Sequence, residues 1–288
     1  MTRPDGGRTD HATALALLAA CGVLWSSAGV LIKLVTWHPL AIWSIRCAIA
    51  GSSLALIARP SWKGLTGAEW GSAIALAATT GLFILANKLT TAANAILIQY
   101  SAPIWVALLG SWLLGERATR LDWITIVVVL GGVALFFLEQ LEIDHVAGNA
   151  VALAAGVAFA ASAMSLRKAA RDHGVDPRRS MILGNLLGAV IGLPFVLTHL
   201  DAAPDTTGWL ALVALGVFQQ AAAYVCYSWA IRHATALEAL LIPIIEPILS
   251  PIWVWLAFGE RPGPWALVGG VVVVGAVTAR ALLGRRPS

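Results

Sequence analysis

Charged side chains are rare inside the apolar runs of this sequence, and Glu246 lies deep within one of them. It is about ten residues into the run 236–258, which is roughly 15 Å along a helix that rises 1.5 Å per residue. A carboxyl group at that depth of a membrane is costly unless it is neutral, paired or hydrated. Two interpretations follow. Glu246 either carries a proton or binds an amino group of a ligand, or it is a structural carboxyl that bonds a neighbouring helix.

Arg46 carries the opposite charge and lies about seven residues inside the run 39–58. It is the natural counter-charge for Glu246 or for a carboxylate of a ligand. The alternative is that its long side chain extends to the nearer membrane surface, where the guanidinium is hydrated. Glu246 and Arg46 are therefore the candidate coupling or counter-charge residues.

Amide and aromatic side chains also occur within the apolar runs. An amide that faces lipid without a partner is costly, which favours a position in an internal cavity. Aromatic rings would give that cavity an apolar wall with polar positions for ammonium and carboxylate groups. The serines are equally consistent with ordinary helix packing. The residues that we predict to line the cavity are Trp25, Ser26, Asn87, Gln99, Tyr100, Pro103, Ser162, Asn185, Gln219, Gln220, Tyr224, Glu246, Pro247 and Trp253.

Prolines interrupt two of the runs, with Pro103 in one and Pro247 in the other. Each proline lacks a donor and frees the carbonyl four residues earlier, which is that of Gln99 or Pro243. Unpaired backbone at membrane depth is tolerated where protein or a water-filled cavity receives it. We therefore expect these two helices to line a central path. A kink that only improves packing is the alternative, since prolines are common in membrane helices.

Membrane-spanning helices must position these residues. The chain is 59% hydrophobic and 12% charged, with a mean hydropathy of +0.81, which is more apolar material than a soluble core can bury. A hydrocarbon core about 30 Å thick needs roughly 20 apolar residues per helix, and open sheets would leave unpaired edges in lipid. The fold class is therefore predicted as an all-α integral membrane protein with ten transmembrane helices. The predicted spans are 12–34, 39–58, 68–88, 94–114, 121–138, 147–168, 179–199, 208–231, 236–258 and 265–283.

Lysine and arginine are distributed unequally between the two sides of the predicted membrane. With the N-terminus in the cytoplasm, 15 of the 19 fall on the inner side. Because positively charged residues are enriched in cytoplasmic loops, both termini are predicted to be cytoplasmic. The outer side keeps Lys33, Lys88 and Arg261, while Arg46 lies within a helix.

The sequence also contains a repeat of half its own length. Residues 92–117 align with 236–261 at an offset of 144, with nine of the 26 pairs identical, including the prolines and the Gly-Glu-Arg endings. Because each half holds five helices, an odd number, the second repeat enters the membrane inverted. Inverted repeats are typical of secondary transporters, in which one site opens alternately to either side. The predicted domains are a cytoplasmic tail 1–11, a first repeat 12–138, an inverted second repeat 147–283 and a cytoplasmic tail 284–288.

These features resemble the EamA-type exporters of the drug/metabolite transporter superfamily. The shared pattern is an apolar helix with a mid-helix proline and then Gly-Glu-Arg, once per half, with a glutamate before the second proline as in Glu246-Pro247. Further matching positions are Trp25, Lys33, Arg46 and Arg167. Within the superfamily the chain is most similar to the YddG amino-acid exporters. The resemblance implies a ten-helix secondary transporter that exports aromatic and other neutral amino acids and related metabolites.

Other function classes have less support. The sequence lacks Gly-x-Ser-x-Gly, His-Glu-x-x-His and the Gly-x-x-x-x-Gly-Lys phosphate loop, which disfavours an intramembrane enzyme and an ATP-driven pump. Its basic residues form no stripe suited to nucleic acid, and no cofactor or metal is predicted. A drug, nucleotide-sugar or other metabolite carrier on the same fold stays open, as do monomer and homodimer. The predicted partners are a small-molecule substrate and the lipid bilayer, and the predicted location is the bacterial inner membrane.

Overall fold

The computed structural model describes residues 5–141, 144–172, 174–259 and 263–283, and all regular structure in these ranges is helical. The predicted tails lie partly or wholly outside them, as do Glu260 and Arg261 of the second Gly-Glu-Arg ending. The described α-helices are α1 (Asp5–Ser26), α2 (Ala28–Lys33), α3 (Pro39–Ala58), α4 (Gly67–Leu89), α5 (Ala92–Gln99), α6 (Ala102–Leu113), α7 (Arg120–Phe136), α8 (Val146–Asp172), α9 (Pro177–Leu197), α10 (Thr206–Ala214), α11 (Ala223–His233), α12 (Ala236–Leu241), α13 (Glu246–Phe258) and α14 (Pro264–Leu283).

Several spans are built from more than one helix. A π-helix, Leu215–Ala222, joins α10 to α11, and a 3-10 helix, Ile242–Ile245, joins α12 to α13. Two short 3-10 turns, Leu138–Gln140 and Leu200–Ala202, lie in connections.

Within the described ranges, nine helical stretches are long and apolar enough to cross a membrane. The chain is therefore a multi-pass, all-helical membrane protein. The predicted span 121–138 coincides with α7, which has 17 residues and is not among the nine. The nine are Thr9–Lys33, Pro39–Ala58, Gly67–Leu89, Ala92–Leu113, Val146–Asp172, Pro177–Leu197, Thr206–His233, Ala236–Phe258 and Pro264–Leu283.

Helix termini gather at two ends of the bundle. We call one end of the bundle the charged end. The helices that begin there are α1, α4, α7, α9 and α12, and those that end there are α3, α6, α8, α11 and α14. Ion pairs join these termini: His11 with Glu238, Arg167 with Glu116, and Arg179 with Glu69. The other termini meet at the opposite end, where the Trp37 indole donates to the carbonyl of His199.

Three helices at the charged end begin with a capping box, in which a threonine and an acidic residue satisfy each other's backbone N–H groups. The pairs are Thr66 with Glu69, Thr119 with Asp122, and Thr235 with Glu238. Each acidic side chain also faces a cation, so the caps belong to the ionic contacts between helices. This arrangement ties the start of each helix to the bundle.

The two sequence halves interlock. The five largest helix interfaces are α4 with α8, α3 with α9, α7 with α14, α4 with α9, and α1 with α11, and each joins a helix of the first half to one of the second. Glycines allow close approach at these interfaces. On α9, Gly184 faces the Ala73 carbonyl of α4, and Gly192 faces Ser44 of α3. The small-residue face of α9 therefore packs inside the molecule.

The α7–α14 interface gives a direct test of this packing. A Cβ atom at Gly269 would lie 2.5 Å from the backbone nitrogen of Phe136 and would clash with the carbonyl of Gly132, whereas Gly275 on the same helix faces open space. We expect Gly269→Ala to destabilise the protein by about 1–3 kcal/mol because backbone must move apart. Gly275→Ala is the matched control, and thermal unfolding in detergent is the measurement. Equal melting temperatures for the two variants would contradict the interface.

Arg280 is the branch point of the ion pairs at the charged end. Its Nε lies 2.6 Å from Asp122 Oδ1, its Nη1 lies 3.2 Å from Glu238 Oε1, and Glu238 also pairs with His11. A lysine carries one point charge and lacks the fork needed for both carboxylates. We expect Arg280→Lys to cost about 1.5–3 kcal/mol of stability, the magnitude of one charged hydrogen bond.

Arg178→Lys is the control for this prediction, because Arg178 pairs with Asp176 at the start of its own helix and is more exposed. Chemical unfolding of both variants in the same detergent provides the comparison. A loss in Arg178→Lys as large as that in Arg280→Lys would show that the bridge between helices has no special role.

Candidate functional site

Two broken helices meet in the middle of the bundle. The span Ala92–Leu113 breaks at Tyr100 and Ser101, where α5 ends before Pro103 in the first turn of α6. The span Ala236–Phe258 changes to a 3-10 helix and resumes as α13, with Glu246 and Pro247 in its first turn. Proline favours this first-turn position because its missing N–H would have no partner there.

A hydrogen bond joins the two breaks. The Tyr100 hydroxyl donates to Oε2 of Glu246 at 3.0 Å, although the two residues are 146 positions apart. Tyr100 is buried, while Glu246 keeps part of its surface accessible. The charge of Arg46 on α3 has an attractive electrostatic effect on the Glu246 carboxylate. Glu246 is thus in direct contact with Tyr100, whereas no hydrogen bond or ion pair among the described residues joins it to Arg46.

Aromatic rings from the first and eighth predicted spans lie beside these polar groups. The Trp25 ring lies edge-on to Tyr224, with centroids 6.3 Å apart, and 5.8 Å from the ring of Tyr227. The Trp253 indole donates to the Ser26 hydroxyl at 2.8 Å. Predicted cavity residues therefore form two direct contacts, Trp25 with Tyr224 and Trp253 with Ser26. Tyr227, which was not predicted, also contacts Trp25.

The π-helix carries two adjacent glutamines into the same region. Gln219 donates to the carbonyl of Trp25 at 3.4 Å, and Gln220 donates to Oδ1 of Asn185 on α9 at 2.5 Å. Gln220 also lies 4.0 Å from the Cys47 sulfur. A π-helix inside a longer helix is frequent at functional sites, because the extra residue in the turn redirects side chains.

Other predicted cavity residues are not joined to this group by any contact described. Asn87 donates to the Phe83 carbonyl of its own helix. Ser162 is buried within α8. The Gln99 carbonyl lies against Gly156 of α8, and the Pro243 carbonyl lies against Gly22 of α1. The carbonyls freed by proline are therefore covered by glycines on neighbouring helices.

Sequence reasoning did not identify the ion pairs at the charged end. Arg167 donates to Glu116 and to the carbonyls of Ile231 and Arg232, and Glu116 accepts from the backbone nitrogen of Ala236. The charged groups thus cap two helix ends of the second half. Threonine followed three residues later by an acidic residue was the available signal, because that spacing marks helix starts. Within the described residues, no cluster of three His, Cys, Asp or Glu could hold a metal ion.

Comparison with known proteins agrees with this architecture. The model of the EamA-like transporter family matches residues 12–138 and 146–279. An uncharacterized transporter of Archaeoglobus fulgidus is 26% identical, over 91% of this chain and 94% of its own. A pseudopaline exporter of Pseudomonas aeruginosa is 26% identical over 65% of each chain. A probable terminal-alkyne amino-acid exporter of Streptantibioticus cattleyicolor is 27% identical over 86% of this chain and 84% of its own.

A crystal structure with 22% sequence identity has the same fold, with a TM-score of 0.79 over 94% of this chain and 98% of the other. The family and the curated relatives consist of transporters, so the function class is transport rather than catalysis. The chain belongs to the EamA-like transporter family.

Proposed function

We propose that this transporter exports amino acids across the inner membrane of a bacterium by alternating access through a cavity between its halves. The observation that carries the proposal is the Tyr100–Glu246 bond at the two helix breaks, where the charge of Arg46 also acts on the carboxylate. An amino acid is a zwitterion, and both of its charges need partners when it leaves water. Arg46 suits the carboxylate and Glu246 suits the ammonium, while Trp25 and Tyr224 provide an apolar wall for the side chain.

The activities named for two relatives support this substrate class to different degrees. The probable terminal-alkyne amino-acid exporter favours an amino acid for this chain as well. The pseudopaline exporter favours the alternative, a carrier of another small metabolite on the same fold. Both names describe exporters, which supports outward movement of the substrate.

The proposed architecture is ten spans, α7 included, in two inverted repeats. The symmetry can be tested by numbering the ten spans in chain order and exchanging each span of the first half with the span five places later. This exchange replaces α4 by the span that contains α11, and α8 by the span that contains α1, so the α4–α8 interface becomes the α11–α1 interface. The same exchange returns α3–α9 and α7–α14 to themselves, as a pseudo-twofold axis would require. Spans exchanged in this way run in opposite directions between the two ends, which supports the inversion. Positive residues concentrate at the charged end, which supports a cytoplasmic position for it and for both termini.

Alternating access then has a specific requirement. The ion pairs from Glu116 to Arg167 and from Asp122 to Arg280 join the first half to the second at the charged end. The halves must separate there before a substrate can enter from the cytoplasm. Closure of the same contacts seals that end while the opposite end opens for release.

Transport by purified protein in liposomes tests the proposed function. A panel of labelled amino acids is compared with a nucleotide sugar and a cationic dye, with and without a pH gradient. We expect several neutral and aromatic amino acids to move, because Arg46 and Glu246 would bind the two charged groups that all amino acids share, while the apolar wall of Trp25 and Tyr224 would accept different side chains. Movement of the sugar or the dye alone would retain the transporter fold and overturn the amino-acid assignment.

The role of Glu246 is separable by substitution. We expect Glu246→Gln to remove the part of transport that a pH gradient drives and to leave downhill exchange, because an amide keeps the bond to Tyr100 but carries no proton. Glu139→Gln, at an exposed position near the opposite end, is the control. Equal loss of driven transport and exchange would make Glu246 a structural carboxyl.

A further inference from the structure

We propose that Gln219 and Gln220 supply acceptors for the substrate ammonium in addition to the Glu246 carboxylate, and make this transporter select for a free α-amino group. The inference rests on the proposed function and specifies which side chains would recognise the amino group of the substrate. Both side chains are almost fully buried, with 6% and 3% of their surfaces exposed. Among the described residues, neither side-chain oxygen has a hydrogen-bond partner, although both nitrogens do.

The orientation of the Gln220 amide is fixed by a relay of hydrogen bonds. The carbonyl of Met181 can only accept, so the Asn185 amide must present its nitrogen to it, at 2.7 Å. Asn185 therefore turns its oxygen towards Gln220, which must in turn present its nitrogen. The Gln220 oxygen is left facing away from Asn185 as a free acceptor.

The orientation of the Gln219 amide is fixed independently of Gln220. Its nitrogen donates to the backbone carbonyl of Trp25, an obligate acceptor, so its oxygen is the free atom. The two glutamines are consecutive, yet their nitrogens bond to different helices, α1 and α9. They lie within the π-helix, whose wider turn sets the directions of both side chains. The two unsatisfied acceptors belong to consecutive residues of one helical turn and suit a ligand group with several N–H donors, which an ammonium has.

A free donor lies on the helix packed against them. Among the described residues, the Nε of Arg46 is buried without a hydrogen-bond partner. Arg46 is next to Cys47, whose sulfur is 4.0 Å from Gln220, and its carbonyl lies 3.3 Å from a Cβ placed on Gly216 of the π-helix. One unpaired cationic donor on α3 and two unpaired acceptors on the π-helix packed against it together match the carboxylate and the ammonium of an amino acid. Buried polar groups without partners are costly, so a ligand that supplies both is strongly preferred.

A competition assay with matched compounds tests the selectivity. Liposomes take up the labelled neutral amino acid that moves fastest in the panel, in competition with unlabelled amino acid or with its deamino analogue; for phenylalanine the analogue is 3-phenylpropionate. We expect the wild type to prefer the amino acid by more than about tenfold, because the analogue leaves both oxygens unpaired. Gln219→Met and Gln220→Met keep the length of the side chain and remove the acceptor. Both should lower the preference at least about threefold, while inhibition by the analogue is retained.

Gln140→Met is the control, since Gln140 is exposed at the opposite end and should keep the wild-type preference. Gln219→Glu loses the donor to the Trp25 carbonyl, as Gln219→Met does, but keeps an acceptor oxygen, so a preference retained only in the glutamate variant separates recognition from packing. An unchanged preference in both methionine variants would overturn the inference and leave the proposed function standing. If the wild type moves no amino acid in the panel, the proposed function fails and the inference fails with it. Where a methionine variant unfolds, Gln219→Asn, which withdraws the oxygen by one methylene, must lower the preference for the inference to survive.

Discussion

The absence of water in the hydrocarbon core is the constraint on which the rest of this structure depends. Every backbone group that a broken helix releases must find a partner or a cover inside the protein. Here the breaks beside Pro103 and Pro247 lie against glycines, Gly156 and Gly22, which allow a neighbouring helix to approach the exposed backbone. Close packing at the breaks then brings Tyr100 and Glu246 within hydrogen-bond distance, so the covering of the backbone and the assembly of the site are one arrangement.

The sequence predicted the helical membrane fold well because apolar length is a local property that lipid enforces directly. Helices occupy each predicted span to within a few residues in the described ranges, including α7, which is shorter than the rest. The family resemblance drawn from the Gly-Glu-Arg endings and the mid-helix prolines was confirmed. The interleaved pairing of α3 with α9 and α4 with α8 could not be predicted, since the hydropathy of a helix does not identify its neighbour.

The sequence gives the type and depth of a candidate site residue but not its contacts. The type and depth of Glu246 and Arg46 indicated unusual chemistry from the sequence alone, whereas the bond from Tyr100 to Glu246 could not be predicted from it. Asn87 was proposed for the cavity from its polarity, and in the structure its amide donates within its own helix, a bond that needs no cavity. The π-helix that carries Gln219 has no sequence signature, because it arises from packing along a whole span.

The interlocking of the two halves has a consequence for how the chain is made. Ribosomes deliver α1 to α7 to the membrane first, but the main interfaces of α3, α4 and α7 are with α9, α8 and α14, which are synthesised later. The face of α7 at Gly132, which fits closely against Val273 of α14, must meanwhile be occupied by lipid. Insertion and packing are therefore separate stages for this protein. The helices of the first half insert before the helices of the second half, with which they make their main contacts, have been synthesised.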